Sequence, residues 1–131
     1  GDYGMNVVFL SLLLRDYVDE SRDRLIANFS VRHGQRVITV PAGFVTDYDS
    51  VPRLPFMYWI LGGKRHKAAV VHDYLYSEKC SAMLALRGRA WADQAYRDIL
   101  RAEGVGPVVA GIMYAGVRIG GRFCYKASEP R

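Results

Sequence analysis

The hydrophobic period of the chain changes once, between Pro41 and Pro52, and that change limits the fold more than any other feature. Before it, residues 25–40 alternate apolar and polar side chains in short steps, broken by His33-Gly34-Gln35. This is the pattern of two strands joined by a tight, glycine-bearing turn. Strands are expected near 25–32 and 36–40, with the apolar run 5–14 as another strand. Pro41-Ala42-Gly43 ends the sheet, and 44–49 is extended or looped. Ser50-Val51-Pro52 has the form of a helix entry, a hydroxyl cap followed by an early proline. Beyond it the spacing is helical: a short helix over 54–61 stopped by Gly62-Gly63, a longer one over 65–79, and a connector or short helical turn over 80–88. An amphipathic helix over 89–103 carries Trp91, Ala95, Ile99 and Ala102 on one stripe, and a last helix over 107–119 closes at Gly120-Gly121. The expected fold is α+β, with a small N-terminal antiparallel β-sheet followed by a C-terminal helical half that contains an antiparallel helix pair.

A chain of 131 residues, half of them hydrophobic and 24% charged, has the mix of one globular domain able to bury roughly two-thirds of its unfolded surface. Residues 5–49 are expected to be mainly β and loop and 50–121 mainly helical, with 1–4 an added extension ahead of a native Met5. Cys80 and Cys124 lack any C-x-x-C spacing for zinc and are too few for a disulfide scaffold. The net charge is +5, and all of it lies after Lys64, because the first 64 residues hold seven charges of each sign. No run of five like charges marks a nucleic-acid arm. The most apolar stretches, 5–14 and 105–117, fall short of the roughly twenty residues of a spanning helix, so no transmembrane segment is expected. The first lacks a basic flank and a cleavage site, so no signal peptide is expected either.

Val71-His72-Asp73-Tyr74-Leu75-Tyr76 places an imidazole and an acid in the middle of an otherwise apolar helix. His72 and Tyr76, four apart, share a face, while Asp73 is turned by about 100°. The imidazole can then face a cavity while the carboxylate faces a loop, and a buried Asp73 demands a partner. Asp93, on the next long helix, can meet His72 across the pair. There it would set the imidazole tautomer and leave the other nitrogen to take a proton from water or a hydroxyl. The same residues can instead form a structural polar network that fixes the helix pair.

His72-Asp73-x-x-Tyr76, with Asp93 in Ala92-Asp93-Gln94-Ala95-Tyr96, resembles the active-site helix pair of secreted phospholipases A2, above all the bacterial type. The resemblance implies that His72 activates water, Asp73 binds calcium, Asp93 orients the histidine and Tyr76 supports the network. The glycine-rich calcium loop of animal members has only Leu61-Gly62-Gly63 as a counterpart. Thr46-Asp47-Tyr48-Asp49-Ser50 supplies hard oxygens suited to calcium or magnesium in its place, with Asp73, Asp47 and Asp49 as the metal carboxylates. The alternatives are that Asp47 and Ser50 make turn and cap hydrogen bonds, and that Arg53 clamps Asp73 or Asp47. Over nearly its whole length the chain resembles a family of phage and prophage proteins, domain of unknown function 1353. The shared motifs are Val40-Pro41-Ala42-Gly43-Phe44-Val45-Thr46-Asp47, Ser50-Val51-Pro52-Arg53, the His72 segment, Ala92-Asp93, Met113-Tyr114 and Val117-Arg118. That resemblance implies a phage-linked context, in the host cytoplasm or on the virion, and no established activity.

Two functions follow as expectations. One is a small phage-associated ester hydrolase with a His72/Asp93 dyad, phospholipid being the substrate the resemblance suggests. Its lipid contact would be the aromatic cluster 56–59 beside Lys64, Arg65 and Lys67, which is otherwise core with a solvated basic edge. The other is a non-enzymatic virion or accessory protein that meets a phage structural partner. An open groove beside His72 favours the first, and Asp73 bound to protein donors favours the second. A metal phosphohydrolase drawn from His33 or His66 with His72, Asp73 and Asp93 would need an all-helical fold, and exposure to solvent is the simpler account of His33 and His66.

Overall fold

Strand and helix fall on either side of the change in period, and the computed structural model of the protein describes them over residues 6–48, 50–51 and 67–127. Among the described residues six strands, β1 (Val7–Phe9), β2 (Arg15–Tyr17), β3 (Asp23–Leu25), β4 (Phe29–His33), β5 (Arg36–Val40) and β6 (Val45–Thr46), precede four helices. These are α1 (Lys67–Tyr76), α2 (Ala82–Ala85), α3 (Gly88–Ala102) and α4 (Pro107–Gly120), followed by a 3-10 turn at Gly121–Phe123. The architecture is the expected α+β. The expected helix over 54–61, its Gly62-Gly63 stop, the aromatic cluster 56–59, Arg53, His66 and Asp49 lie outside the described residues, as does the extension 1–4.

The β half departs from expectation in its pairing: it makes two three-stranded antiparallel sheets, β1-β4-β5 and β2-β3-β6, where one was expected. The run 5–14 is not a single strand. Val7 to Phe9 pairs with Val31 to His33, and the chain then leaves that sheet and joins the second one at Arg15, opposite Leu25. Leu10, Leu12 and Leu14 in between are 50%, 75% and 45% exposed, so an apolar run here did not mean a buried strand. The expected strand 25–32 is likewise divided at 26–28. Asn28 holds that break in place, its side-chain oxygen accepting from the Ala42 N–H at 2.8 Å.

The β4–β5 hairpin follows its sequence closely. Its two-residue loop, Gly34-Gln35, puts Gly34 at φ 62°, the backbone region that hairpin turns of this length require. Alternation then turns Phe29, Val31, Ile38 and Val40 inward, each with no exposed surface, onto the helices. Burying four such side chains removes roughly 1.5–3 kcal/mol each of unfavourable hydration. The second sheet ends at β6, two residues before Tyr48, which is a non-glycine residue at φ 61°.

α1 and α3 form the antiparallel pair. The Glu103 carboxylate, just beyond α3, accepts hydrogen bonds from the Lys67 and Ala68 N–H groups at 3.0 and 2.8 Å. At the other end Arg89 of α3 reaches Tyr76 of α1. An anion on the first described N–H groups of α1 also opposes the positive end of that helix's dipole. α1 is buried on nearly every side, and Val70 and Val71 meet Ala95, Ile99 and Leu100 of α3 in one core with Val117 of α4. Cys80 and Cys124 form no disulfide. No described helix is long and apolar enough to cross a membrane.

Candidate functional site

A polar cluster lies where α1, α3 and α4 converge, and His72 is at its centre. His72 and Asp93 have no exposed surface. His72 Nε2 is 2.7 Å from Asp93 Oδ1, and the Tyr76 hydroxyl donates to the same oxygen at 2.6 Å. The i,i+4 spacing delivers both rings to one face, their centroids 4.1 Å apart. The other carboxylate oxygen, Oδ2, accepts from Arg118 Nη1 at 2.8 Å and from Arg89 Nη1 at 3.4 Å. Arg89 also holds the carbonyl of Val117 at 3.2 Å and that of Arg118 at 3.2 Å, fastening the last turn of α4 to the pair.

These contacts fix the proton positions. Burial alone would raise the Asp93 pKa, but hydrogen bonds from His72, Tyr76 and Arg118 bring it below the usual carboxylate value. Asp93 is therefore an anion and an acceptor at both oxygens. Burial lowers the His72 pKa more than Asp93 raises it, so the imidazole is neutral near pH 7. One proton on a neutral ring that faces an anionic acceptor belongs on Nε2. Nδ1 is then the basic nitrogen, and the group in front of it is the Ser50 hydroxyl, at 3.0 Å.

Asp73 points elsewhere. It accepts from Thr46 Oγ1 at 2.7 Å and is also hydrogen-bonded by Ser50 through both backbone and side chain. Burial pushes its pKa up, against the Thr46 bond, and the charge of Asp47 pushes the same way. Asp73, Asp47, Ser50 and Tyr76 line a cavity of about 430 Å³ together with Phe44, Lys79 and Lys126. The expected orientation holds for Asp73, which faces the 46–50 loop and borders the cavity beside it, and fails for His72, which is enclosed and packs against the cavity-lining Ser50 and Tyr76. The physical reason is that the apolar neighbours of His72 on α1 face the core, whereas Asp73 lies next to the short β6 strand, whose hydroxyl satisfies it.

Of the expected metal carboxylates, Asp47 and Asp73 border one cavity and Asp49 lies outside the described residues. Among the described residues no group of three or more His, Cys, Asp or Glu side chains is arranged to hold a metal ion. His33 takes no part in such a centre. It ends β4, and its Nε2 is 2.6 Å from Asp98 Oδ2 with only 15% of its side chain exposed, so it is a paired residue and not a solvated one.

Sequence reasoning gave Arg89 and Arg118 no chemical role, and Ser50 none beyond a cap or a hard oxygen of the 46–50 segment. Arg89 had a signal, the i,i+4 spacing to Asp93 on one helix face. Arg118 had one in its place within an apolar helix. Ser50 read as a helix cap, and nothing in its local sequence distinguished a cap from a hydroxyl aimed at His72.

Residues 24–117 match the family described as "Protein of unknown function (DUF1353)". No curated protein and no solved structure matches the chain.

Proposed function

We propose that this chain, which belongs to the DUF1353 family of unknown function, is a small ester hydrolase whose general base is His72. The observation that carries the reading is the line Ser50–His72–Asp93, 3.0 Å and 2.7 Å. A charged acceptor fixes one side of the imidazole and a hydroxyl at a cavity wall occupies the other. Asp93 orients the ring and stabilises the imidazolium formed when Nδ1 takes a proton, and Tyr76, Arg118 and Arg89 keep Asp93 in place. The cavity offers Phe44 and Phe123 to an apolar acyl group, and Lys79 and Lys126, beside Asp47, Asp73 and Glu78, to an anionic head. Phospholipid, within a phage-linked role, is the substrate of that description to which the likeness of the His72 segment to phospholipases A2 points.

Calcium would enter at Asp47 and Asp73, where it would polarise the ester carbonyl. Asp73 is already bonded to Thr46 and Ser50, two lysines line the same cavity, and Asp47, Asp73 and Glu78 are not grouped to hold a metal ion, so the described residues make a poor hard-cation site. The reaction is therefore assigned to the protein's own groups. The test is release of fatty acid from vesicles of phosphatidylglycerol and phosphatidylcholine, beside a short-chain nitrophenyl ester, by wild type and His72→Asn. Turnover that the variant loses supports the reading; turnover equal in both sinks it.

A second reading has its own observation. Asp73 is bonded to protein donors, and the His72–Asp93 contact is enclosed by three helices. The cluster would then hold α1, α3 and α4 together in a non-enzymatic virion or accessory protein, with a phage structural protein as partner. A folded wild type with no hydrolysis of either ester favours this reading.

A further inference from the structure

We infer that Ser50 is the nucleophile and that the reaction passes through an acyl-enzyme on its hydroxyl. This deepens the hydrolase reading and rests on it, replacing the activated water that the phospholipase likeness implies. His72 has two ring nitrogens and both are occupied, Nε2 by Asp93 and Nδ1 by Ser50 Oγ. With no surface exposed on His72, the place within about 3 Å of Nδ1 where an activated water would stand is filled by the Ser50 hydroxyl for as long as that hydroxyl is unacylated. The hydroxyl that does stand there lies on the cavity wall.

The backbone around Ser50 supports the same assignment. Tyr48, two residues earlier, has a φ of 61°, a conformation that costs a non-glycine residue on the order of 1 kcal/mol and persists only where the surroundings impose it. Here they do. The Tyr48 hydroxyl donates to Asp23 at 2.6 Å and accepts from Arg15 at 2.9 Å, which ties the turn to the second sheet. The Val51 N–H closes the turn on the Tyr48 carbonyl at 3.3 Å. Asp73, by holding the Ser50 backbone, acts as a positioning residue on the opposite side.

The chemistry balances with groups in hand. Ser50 Oγ bonds to the ester carbonyl carbon as its proton moves to His72 Nδ1. The tetrahedral adduct collapses, the carbon–alkoxy bond breaks, and the leaving alcohol takes the proton from His72. Water then adds to the acyl carbon, giving its proton to Nδ1; the bond to Ser50 breaks, and Oγ recovers that proton. Among the described residues Lys79 and Lys126, which line the same cavity, are the cations available to the transient oxyanion. The single Ser50 hydroxyl proton is shared between Nδ1 and the Asp73 carboxylate, and only the Nδ1 orientation is productive.

The test is a fluorophosphonate probe, which phosphonylates activated serines, with the labelled peptide mapped by mass spectrometry. Ester turnover is measured in parallel on wild type, Ser50→Ala and Ser50→Cys, with melting curves confirming folding. Label on Ser50 of the wild type, lost in His72→Asn, with turnover reduced at least about 1,000-fold in Ser50→Ala, supports the inference. Turnover without label at Ser50, or turnover retained in a folded Ser50→Ala, overturns it and leaves the hydrolase reading standing with water as nucleophile. Neither turnover nor label in wild type overturns both. Wild-type labelling decides the matter even where Ser50→Ala does not fold.

Discussion

Arg118, near the end of α4, places Nη1 2.8 Å from Oδ2 of Asp93 on α3. That bond leaves the other carboxylate oxygen to His72 and Tyr76, so one acid ties three helices together and sets the tautomer of the histidine. The same contact is what a catalytic base needs and what a structural clamp needs. The predictions below therefore separate the chemistry from the packing.

Protonation of His72 should weaken the fold. Its pKa in the folded chain lies below the ordinary 6.5 because burial opposes the charge. Between 6.5 and the folded value the unfolded chain binds more protons, so stability rises with pH across that window. The contribution is complete above 6.5 and is lost as pH falls through the folded value. Asp93, also lowered from its ordinary 3.8, contributes above 3.8 and loses that contribution as pH falls through its own folded value. Urea unfolding from about pH 5 to 8 should show the upper slope in wild type and a flatter one in His72→Asn; equal slopes would exclude His72 as its source.

His72→Ala should destabilise the protein by about 1–3 kcal/mol whichever function holds, since it removes a donor from a buried carboxylate. A groove-lining imidazole would have cost little, and full enclosure removes that distinction. Thermal melts therefore test the burial, while ester turnover tests the role. A loss under about 0.5 kcal/mol would mean that the enclosure is wrong.

Gly121 stands against Tyr76. A β-carbon there would collide with the Tyr76 hydroxyl and come within 2.9 Å of the ring carbon Cε2. Gly121→Ala must push the phenol off Asp93 Oδ1, at a cost of about 1–3 kcal/mol for overpacking. Tyr76→Phe, which has room for the ring and lacks only the hydroxyl, should be milder. The reverse order in chemical denaturation would show that Tyr76 yields without loss.

Chelation tests the cation. Asp47, Asp73 and Glu78 are the cavity carboxylates among the described residues, and they are not grouped to hold a metal ion, so ester turnover in EDTA should stay within about twofold of that in millimolar calcium. Turnover abolished by EDTA and restored by calcium would return the metal to the mechanism.

Much of this protein can be read from one dimension, and the boundary is physical. Periodicity is a local property, so the β4–β5 hairpin with Gly34 in its turn, and the helices α1, α3 and α4, follow from spacing alone. The His72–Asp93 contact was legible as well, because two polar residues misplaced on adjacent apolar helices have few partners but each other. Pairing between distant strands is not local, and so the apolar run 5–14 did not disclose that it would serve two sheets. Nor did Ser50 disclose its direction. A serine two residues ahead of a proline is a cap by every nearby criterion, and the second sheet, gripping Tyr48 through Asp23 and Arg15, helps to set the Ser50 hydroxyl toward Nδ1 of His72. The residue types of the site belong to the sequence. Which of them faces the cavity was decided when sheet and helices packed, because exposure depends on neighbours that the chain brings together only in three dimensions.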